Sequence, residues 1–190
     1  MIWFISAGLA GEKHFAVGRS EVDRQNYDCV SAELTAALRS PMPGKSRAQM
    51  YGYRGYAHAR KGESEAARED FTSAIKLDDT LAYTYAECGS SRYWRGDEGG
   101  AESDFPRAIA LDRNNTNAWY YRGDIHARRR EWDAAIGDFS EAIRSRPDYA
   151  ESYVARGLAY SGKGDLSGAQ ASFGAAIRTS PTYPLRARQR

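Results

Sequence analysis

Three histidines, His14, His58 and His126, are the side chains of this chain best suited to acid–base work near neutral pH, where imidazole titrates. Cys29 and Cys88 would be the thiol nucleophiles or soft metal ligands, and Gly162–Lys163–Gly164 is the stretch nearest to a phosphate-cradling turn. Each of these chemistries needs partners at set spacings. The cysteines lack the C-x-x-C spacing of a metal or redox pair. No serine or cysteine has a base in a recognisable setting. The Gly–Lys–Gly stretch lacks the longer glycine pattern and the following Lys-Ser/Thr of a phosphate loop, and reads as a turn between helices. Acid pairs such as Asp78–Asp79 read as helix ends rather than as a cleft. His58 and His126 obey a rule that a catalytic pair has no reason to obey: they stand two lengths of a 34-residue period apart. Both, with His14, therefore read as packing residues, and the expectation is a protein without enzymatic activity, metal or cofactor.

That period organises the rest. Gly55, Gly89, Gly123 and Gly157 keep it, as do Phe71, Phe105, Phe139 and Phe173, and Ala67, Ala101, Ala135 and Ala169. Ala74, Ala108, Ala142 and Ala176 keep it too, each followed by isoleucine. Self-similarity at such a period marks an array of supersecondary units. In the block 116–149, Trp119, Gly123 and His126 share one helix face, while Ala135, Phe139, Ala142 and Ile143 form an amphipathic stripe on a second helix. Pro147 stops that stripe. Gly62, Gly96 and Gly164 occupy the turn between the helices, where a left-handed C-cap suits glycine, and Arg130 takes that position in the fourth unit, which predicts local strain. Glu63, Asp97, Glu131 and Asp165 follow, each favouring the start of the next helix. Neither helix can bury its stripe alone, and the small residues let the two backbones approach.

These columns resemble the tetratricopeptide repeat. Trp119, Gly123, Ala135, Phe139, Ala142 and Pro147 match the family pattern, and so do Tyr153, Gly157, Tyr160, Ala169, Phe173, Ala176 and Pro181. Departures stand at Asp79 and Arg113, in the proline column, and at Arg92, where the last unit has Tyr160. The resemblance implies an all-α fold, a right-handed superhelical solenoid of antiparallel helix pairs. The expected organisation is an apolar segment 1–10, a degenerate repeat 11–47, repeats 48–81, 82–115, 116–149 and 150–183, and a basic tail 184–190. The extra length of the first spacing is assigned to a loop at Pro41–Arg47. Pro106, inside a second helix, is expected to kink it.

First helices line the concave face in this family, so the resemblance implies a groove that includes Gly52, Tyr56, Ala86, Ser90, Tyr120, Asp124, Val154 and Leu158, with Gln49, Tyr83, Asn117 and Glu151 beside them. The candidate binding residues are Tyr56, Tyr83, Ser90, Asn117, Tyr120, Asp124 and Leu158. The positions matching the lysines with which some members clamp a chaperone's C-terminal carboxylate hold no lysine here, which argues against that role. The groove is aromatic, mixed polar and mildly acidic. Tyrosine there suits recognition of a peptide or protein segment.

Composition narrows the partner class. The net charge is only +2, no basic block dominates and no groove-reading motif occurs, so nucleic acid is not an expected partner. The run Arg128–Arg130 reads as a solvated helix end. Ile2–Ala10 is too short to span a bilayer as a helix. It reads either as an N-terminal cap or as a signal-peptide core with Gly8 and Ala10 at a cleavage site, although no Lys or Arg precedes it. Cysteine usage fits a reducing, cytoplasmic compartment, whereas cleavage of 1–10 would mean a periplasmic or secreted protein. After Pro181 no polar capping helix is legible, so the last pair is expected to leave apolar surface exposed. The leading expectation is a non-catalytic interaction scaffold that binds a peptide or protein segment in its concave groove. The alternative is a self-associating structural or accessory subunit of a larger complex, an envelope complex if a signal peptide is present, with homo-oligomerisation through the C-terminal end.

Overall fold

The computed structural model describes residues 26–180. The segment 1–10, the part of the degenerate repeat that holds His14 and Gly18, and the tail 184–190 lie outside the described residues. Those described fold as helices joined by short turns, in two compact units that divide at Arg95–Gly96. The first unit contains α1 (Tyr27–Leu38), α2 (Gly44–Arg60), α3 (Ser64–Leu77) and α4 (Ala82–Trp94). The second contains α5 (Glu98–Leu111), α6 (Thr116–Arg128), α7 (Trp132–Ser145), α8 (Ala150–Lys163) and α9 (Leu166–Thr179). No strand occurs among the described residues.

The repeat columns form the core. Phe71, Phe105 and Phe139 are fully or almost fully buried, together with Ala67, Ala101 and Ala135 and with Ala74, Ala108 and Ala142. In the first unit Val30, Leu34, Ala37, Met50 and Ala57 form one cluster, and Ala67, Phe71 and Cys88 another. In the second unit Ala135, Phe139 and Ala159 are central, with Tyr120, Trp132 and Ile136 packed against them. The glycine column explains how two helices come this close. A Cβ on Gly55 would lie 2.9 Å from the ring of Phe71, and one on Gly157 would lie 2.6 Å from the ring of Phe173. Any side chain there would displace the phenylalanine that fills the pair.

The turns close as left-handed caps. Gly62, Gly96 and Gly164 have φ of 80°, 79° and 87°. The N–H of Glu63 reaches back to the carbonyl of His58 at 2.9 Å, and that of Asp165 to Tyr160 at 2.9 Å. These six-to-one bonds belong to the Schellman arrangement, which satisfies carbonyls at the helix end. Arg130 makes the same turn at φ 61°, the only non-glycine residue at positive φ among those described. The left-handed region crowds an L-residue's Cβ against its backbone. Arg130 is exposed and its Cβ serves no packing role. Arg130→Gly is expected to stabilise the second unit by about 1 kcal/mol, read as a higher urea midpoint at an unchanged slope. An unchanged or lower midpoint would show that the strain is offset elsewhere.

One expectation meets a different structure. The extra length of the first spacing is not all loop, because α2 begins at Gly44 and runs for 17 residues. Pro43 at its N-cap, with φ −58°, sets the chain for helix entry, and the N–H of Arg47 bonds its carbonyl at 3.0 Å. The helix that carries Pro106, α5, runs unbroken from Glu98 to Leu111. Phe105, Ala108 and Ile109 are buried while Pro106 faces solvent, so core packing holds the helix through the missing hydrogen bond.

Candidate functional site

A polar network repeats inside the core. Arg54 of α2 donates from Nε and Nη2 to the two carboxylate oxygens of Asp70 of α3, at 2.8 and 2.7 Å. Arg122 of α6 does the same to Asp138 of α7, both bonds at 2.7 Å. The Asp70 and Asp138 side chains are only 6% and 8% exposed, so each pair is largely desolvated. The hydrogen bond to Asp70, opposed by burial, holds the Arg54 guanidinium above its ordinary range. Nε2 of His58 and of His126 lies 3.8 Å from the same aspartates, while Nδ1 meets Glu63 and Glu131 at 2.5 Å. The histidines thus join a charged network rather than apolar packing. In the last repeat Ser172 replaces the aspartate, and Arg156 bonds Ser172 at 3.2 Å and Ser140 at 3.3 Å. An arginine-centred device that recurs in three of the four full repeats, with Cys88 in its place in the repeat 82–115, on the face where paired helices pack, is structural. The sequence reading missed it, although its signal was present: arginine recurs just before the glycine, and aspartate just before the phenylalanine.

The turn acids divide by length. Asp97 and Asp165 cap α5 and α9, accepting from the N–H of Gly100 and Gly168, each at 2.9 Å. Glu63 and Glu131 make no side-chain cap bond and reach the histidines instead. Among the four full repeats, glutamate therefore stands in the two that carry His58 and His126, and aspartate in the other two.

Of the seven candidate binding residues, three come together. Tyr120 and Asp124 of α6 and Leu158 of α8 line an open hollow of about 360 Å³, floored by α7 through Trp132 and Phe139 and completed by Ala127, Glu151, Val154, Ala155 and Ala159. The ring of Tyr120 is braced by Tyr121, Phe139 and Tyr149, with centroids 5.3, 5.7 and 5.6 Å away. Leu158 is 61% exposed. Asp124 accepts from Nε of Arg128 at 2.8 Å. Trp132 is placed by a compensating pair of departures from the repeat: a Cβ at Gly162 would lie 2.7 Å from its ring. Asn117 is half-buried in the first turn of α6.

The other three candidates belong to the first unit and are engaged within it. Tyr83 stacks on Tyr53 at 5.4 Å and donates its hydroxyl to the carbonyl of Gln49 at 3.1 Å. It covers Gly52, where a Cβ would lie 2.1 Å from the hydroxyl oxygen. Burial pushes its phenol above the ordinary range. Tyr56 meets Tyr27 edge-on at 5.9 Å, and burial with that neighbour pushes its phenol up to about 12. Ser90 returns its hydroxyl to the carbonyl of Ala86 at 2.8 Å, within its own helix. Close by, burial raises the Glu87 carboxyl to about 7 against the pull of Arg60, whose guanidinium lies 5.6 Å from the Tyr27 ring centroid.

Among the described residues, no group of three or more His, Cys, Asp or Glu is placed to hold a metal ion, and no helix is long and apolar enough to cross a membrane. Among the described residues of the second unit, the large apolar side chains that are exposed are Leu158, Leu166 and Ile177, at 61%, 73% and 55%.

Comparison with known proteins agrees with the architecture. Tetratricopeptide repeat family models match residues 15–82, 89–150 and 150–183. No curated protein matches significantly by sequence. The crystal structure of MamA protein is similar at 23% identity, covering 92% of this chain and 94% of that one, with a TM-score of 0.73. YrrB, described as a TPR protein with an unusual peptide-binding site, is similar at 20% identity over 93% of this chain and 91% of its own, with a TM-score of 0.69. MamA from Desulfovibrio magneticus RS-1, from residue 41 to its end, has 15% identity, coverage of 92% and 97%, and a TM-score of 0.74. At these identities the likeness is one of fold. The matched models cover most of the chain and coincide with the helix pairs just described: the protein belongs to the tetratricopeptide repeat family.

Proposed function

We propose that this protein is a non-catalytic scaffold that binds a peptide or protein segment in the hollow between α6 and α8. The observation that carries this reading is the convergence of Tyr120, Asp124 and Leu158 on one open, mostly apolar hollow, with the Tyr120 ring braced by Phe139 and Tyr149. Such rings offer contact area at little entropy cost. Membership in a family of interaction repeats, and the peptide-binding site ascribed to the similar YrrB, support it.

Ala155 provides a clean test. Its repeat column holds tyrosine at Tyr53 and Tyr121, so Ala155→Tyr suits the helix while filling the hollow. Binding of a peptide selected from a displayed random library is expected to weaken at least about ten-fold, with the thermal midpoint almost unchanged. Equal affinity for both proteins would refute the assignment. Leu166 and Ile177, exposed on α9, favour a second reading, self-association through that helix. Light scattering over a concentration series is then expected to show a mass above 21.1 kDa that falls on dilution, and a monomer throughout removes this reading.

A further inference from the structure

The repeats supply an internal comparison for the hollow. Tyr83 and Glu151 occupy the same repeat position, and so do Gly52 and Tyr120. In the first unit Tyr83 folds across Gly52 and fills the space with the chain's own ring. In the second unit tyrosine has moved to the wall, as Tyr120, and the filling residue is the shorter glutamate. The hollow is therefore open, with a carboxylate at its rim.

That carboxylate is unlike its neighbours. In the second unit Asp124 is held by Arg128, Asp133 by Lys163 and Asp138 by Arg122. Glu151, half-buried in the first turn of α8, has no ion pair or hydrogen bond from its side chain among the described residues. No lysine or arginine lines the hollow. The position that carries Arg60 and Arg128 in other repeats is Gly162 here, and the space so released holds the Trp132 ring. A free carboxylate, two aromatic rings and an apolar wall together match a cation on an aliphatic stem.

We propose that the hollow between α6 and α8 receives a lysine or arginine side chain of the bound segment, its charge at Glu151 and against Tyr120 and Trp132, its stem along Leu158. This rests on the binding reading above and adds the chemistry of the anchor.

The full chain is used to select from a displayed library of random 12-residue peptides, in parallel with Glu151→Gln and Glu151→Lys. The wild type is expected to enrich Lys or Arg at one fixed position. A peptide made from that consensus should bind Glu151→Gln about ten-fold more weakly. Replacing its basic residue by alanine should cost the wild type a similar factor, and the two changes together should cost little more than either alone. Glu151→Lys should shift the selected peptides toward Asp and Glu, a gain that misfolding cannot produce. Peptides that bind, lose affinity with Ala155→Tyr, and yet show no basic preference would overturn the anchor while leaving the binding site in place. The same holds if Glu151→Gln keeps the preference. Failure of the wild type to select any peptide would overturn both.

Discussion

Asp138→Ala is expected to lower the stability of the second unit by about 3 kcal/mol. The aspartate is 8% exposed and takes two bonds of 2.7 Å from Arg122, itself 24% exposed, between α6 and α7. Removing one partner leaves a guanidinium in a packed, poorly solvated face with no charge to meet it, and this uncompensated ion dominates the loss. Asp138→Asn should cost less, since one acceptor oxygen remains. Asp133→Ala removes the carboxylate that holds Lys163, but Asp133 is a solvent-exposed surface residue, so that change should leave the urea midpoint almost unchanged. Urea unfolding of the three variants followed by tryptophan fluorescence separates these cases. Equal losses for Asp138→Ala and Asp133→Ala would show that the buried network contributes no more than a surface pair.

Pro106→Ala should act in the opposite direction, with a gain of about 2 kcal/mol. The helix already runs through this position and the side chain faces solvent, so alanine introduces no new contact to strain. It restores an N–H that can bond the carbonyl of Glu102 and removes the ring that crowds that carbonyl. The gain is set below the full host–guest difference between proline and alanine because packing of Phe105 and Ile109 already holds this turn. A higher urea midpoint with the same slope is the expected result. An unchanged midpoint would mean that the Glu102 carbonyl is satisfied in another way and that the proline is accommodated without cost.

Much of the fold was legible because one rule generates it. The 34-residue columns located Gly55 against Phe71 and Gly157 against Phe173, the turn glycines, and the strained Arg130 that replaces one of them. Other features were not legible, because apolar periodicity does not register them. The Arg54–Asp70 and Arg122–Asp138 pairs are charged residues inside an apolar stripe, and a reading that scores hydrophobic positions passes over them. His58 and His126 obey the repeat, as expected of structural residues, yet their partners are carboxylates. The pairing of Glu63 and Glu131 with histidine, and of Asp97 and Asp165 with a cap, could have been read from the columns had the two acids been treated as different.

The candidate site shows the same limit. Tyr56, Tyr83 and Ser90 satisfied the column rule as well as Tyr120, Asp124 and Leu158 did, and only three-dimensional packing distinguishes them. Tyr83 reaches back a whole repeat to cover Gly52, and Trp132 reaches forward to use the space left at Gly162. Contacts of this kind join residues about one repeat apart in sequence, and no single repeat encodes them. They separate a first unit that fills itself from a second unit with an open hollow.

The indole signals of the tryptophans give the most direct test of that hollow as the binding site. A 15N spectrum of the protein is recorded with and without a library-selected peptide. The account predicts that the Trp132 indole signal shifts, while those of Trp94, 70% exposed on α4, and Trp119, bonded to the Arg113 carbonyl at 2.9 Å, stay in place. A saturated peptide complex in which Trp132 is unmoved and Trp94 or Trp119 shifts would contradict it.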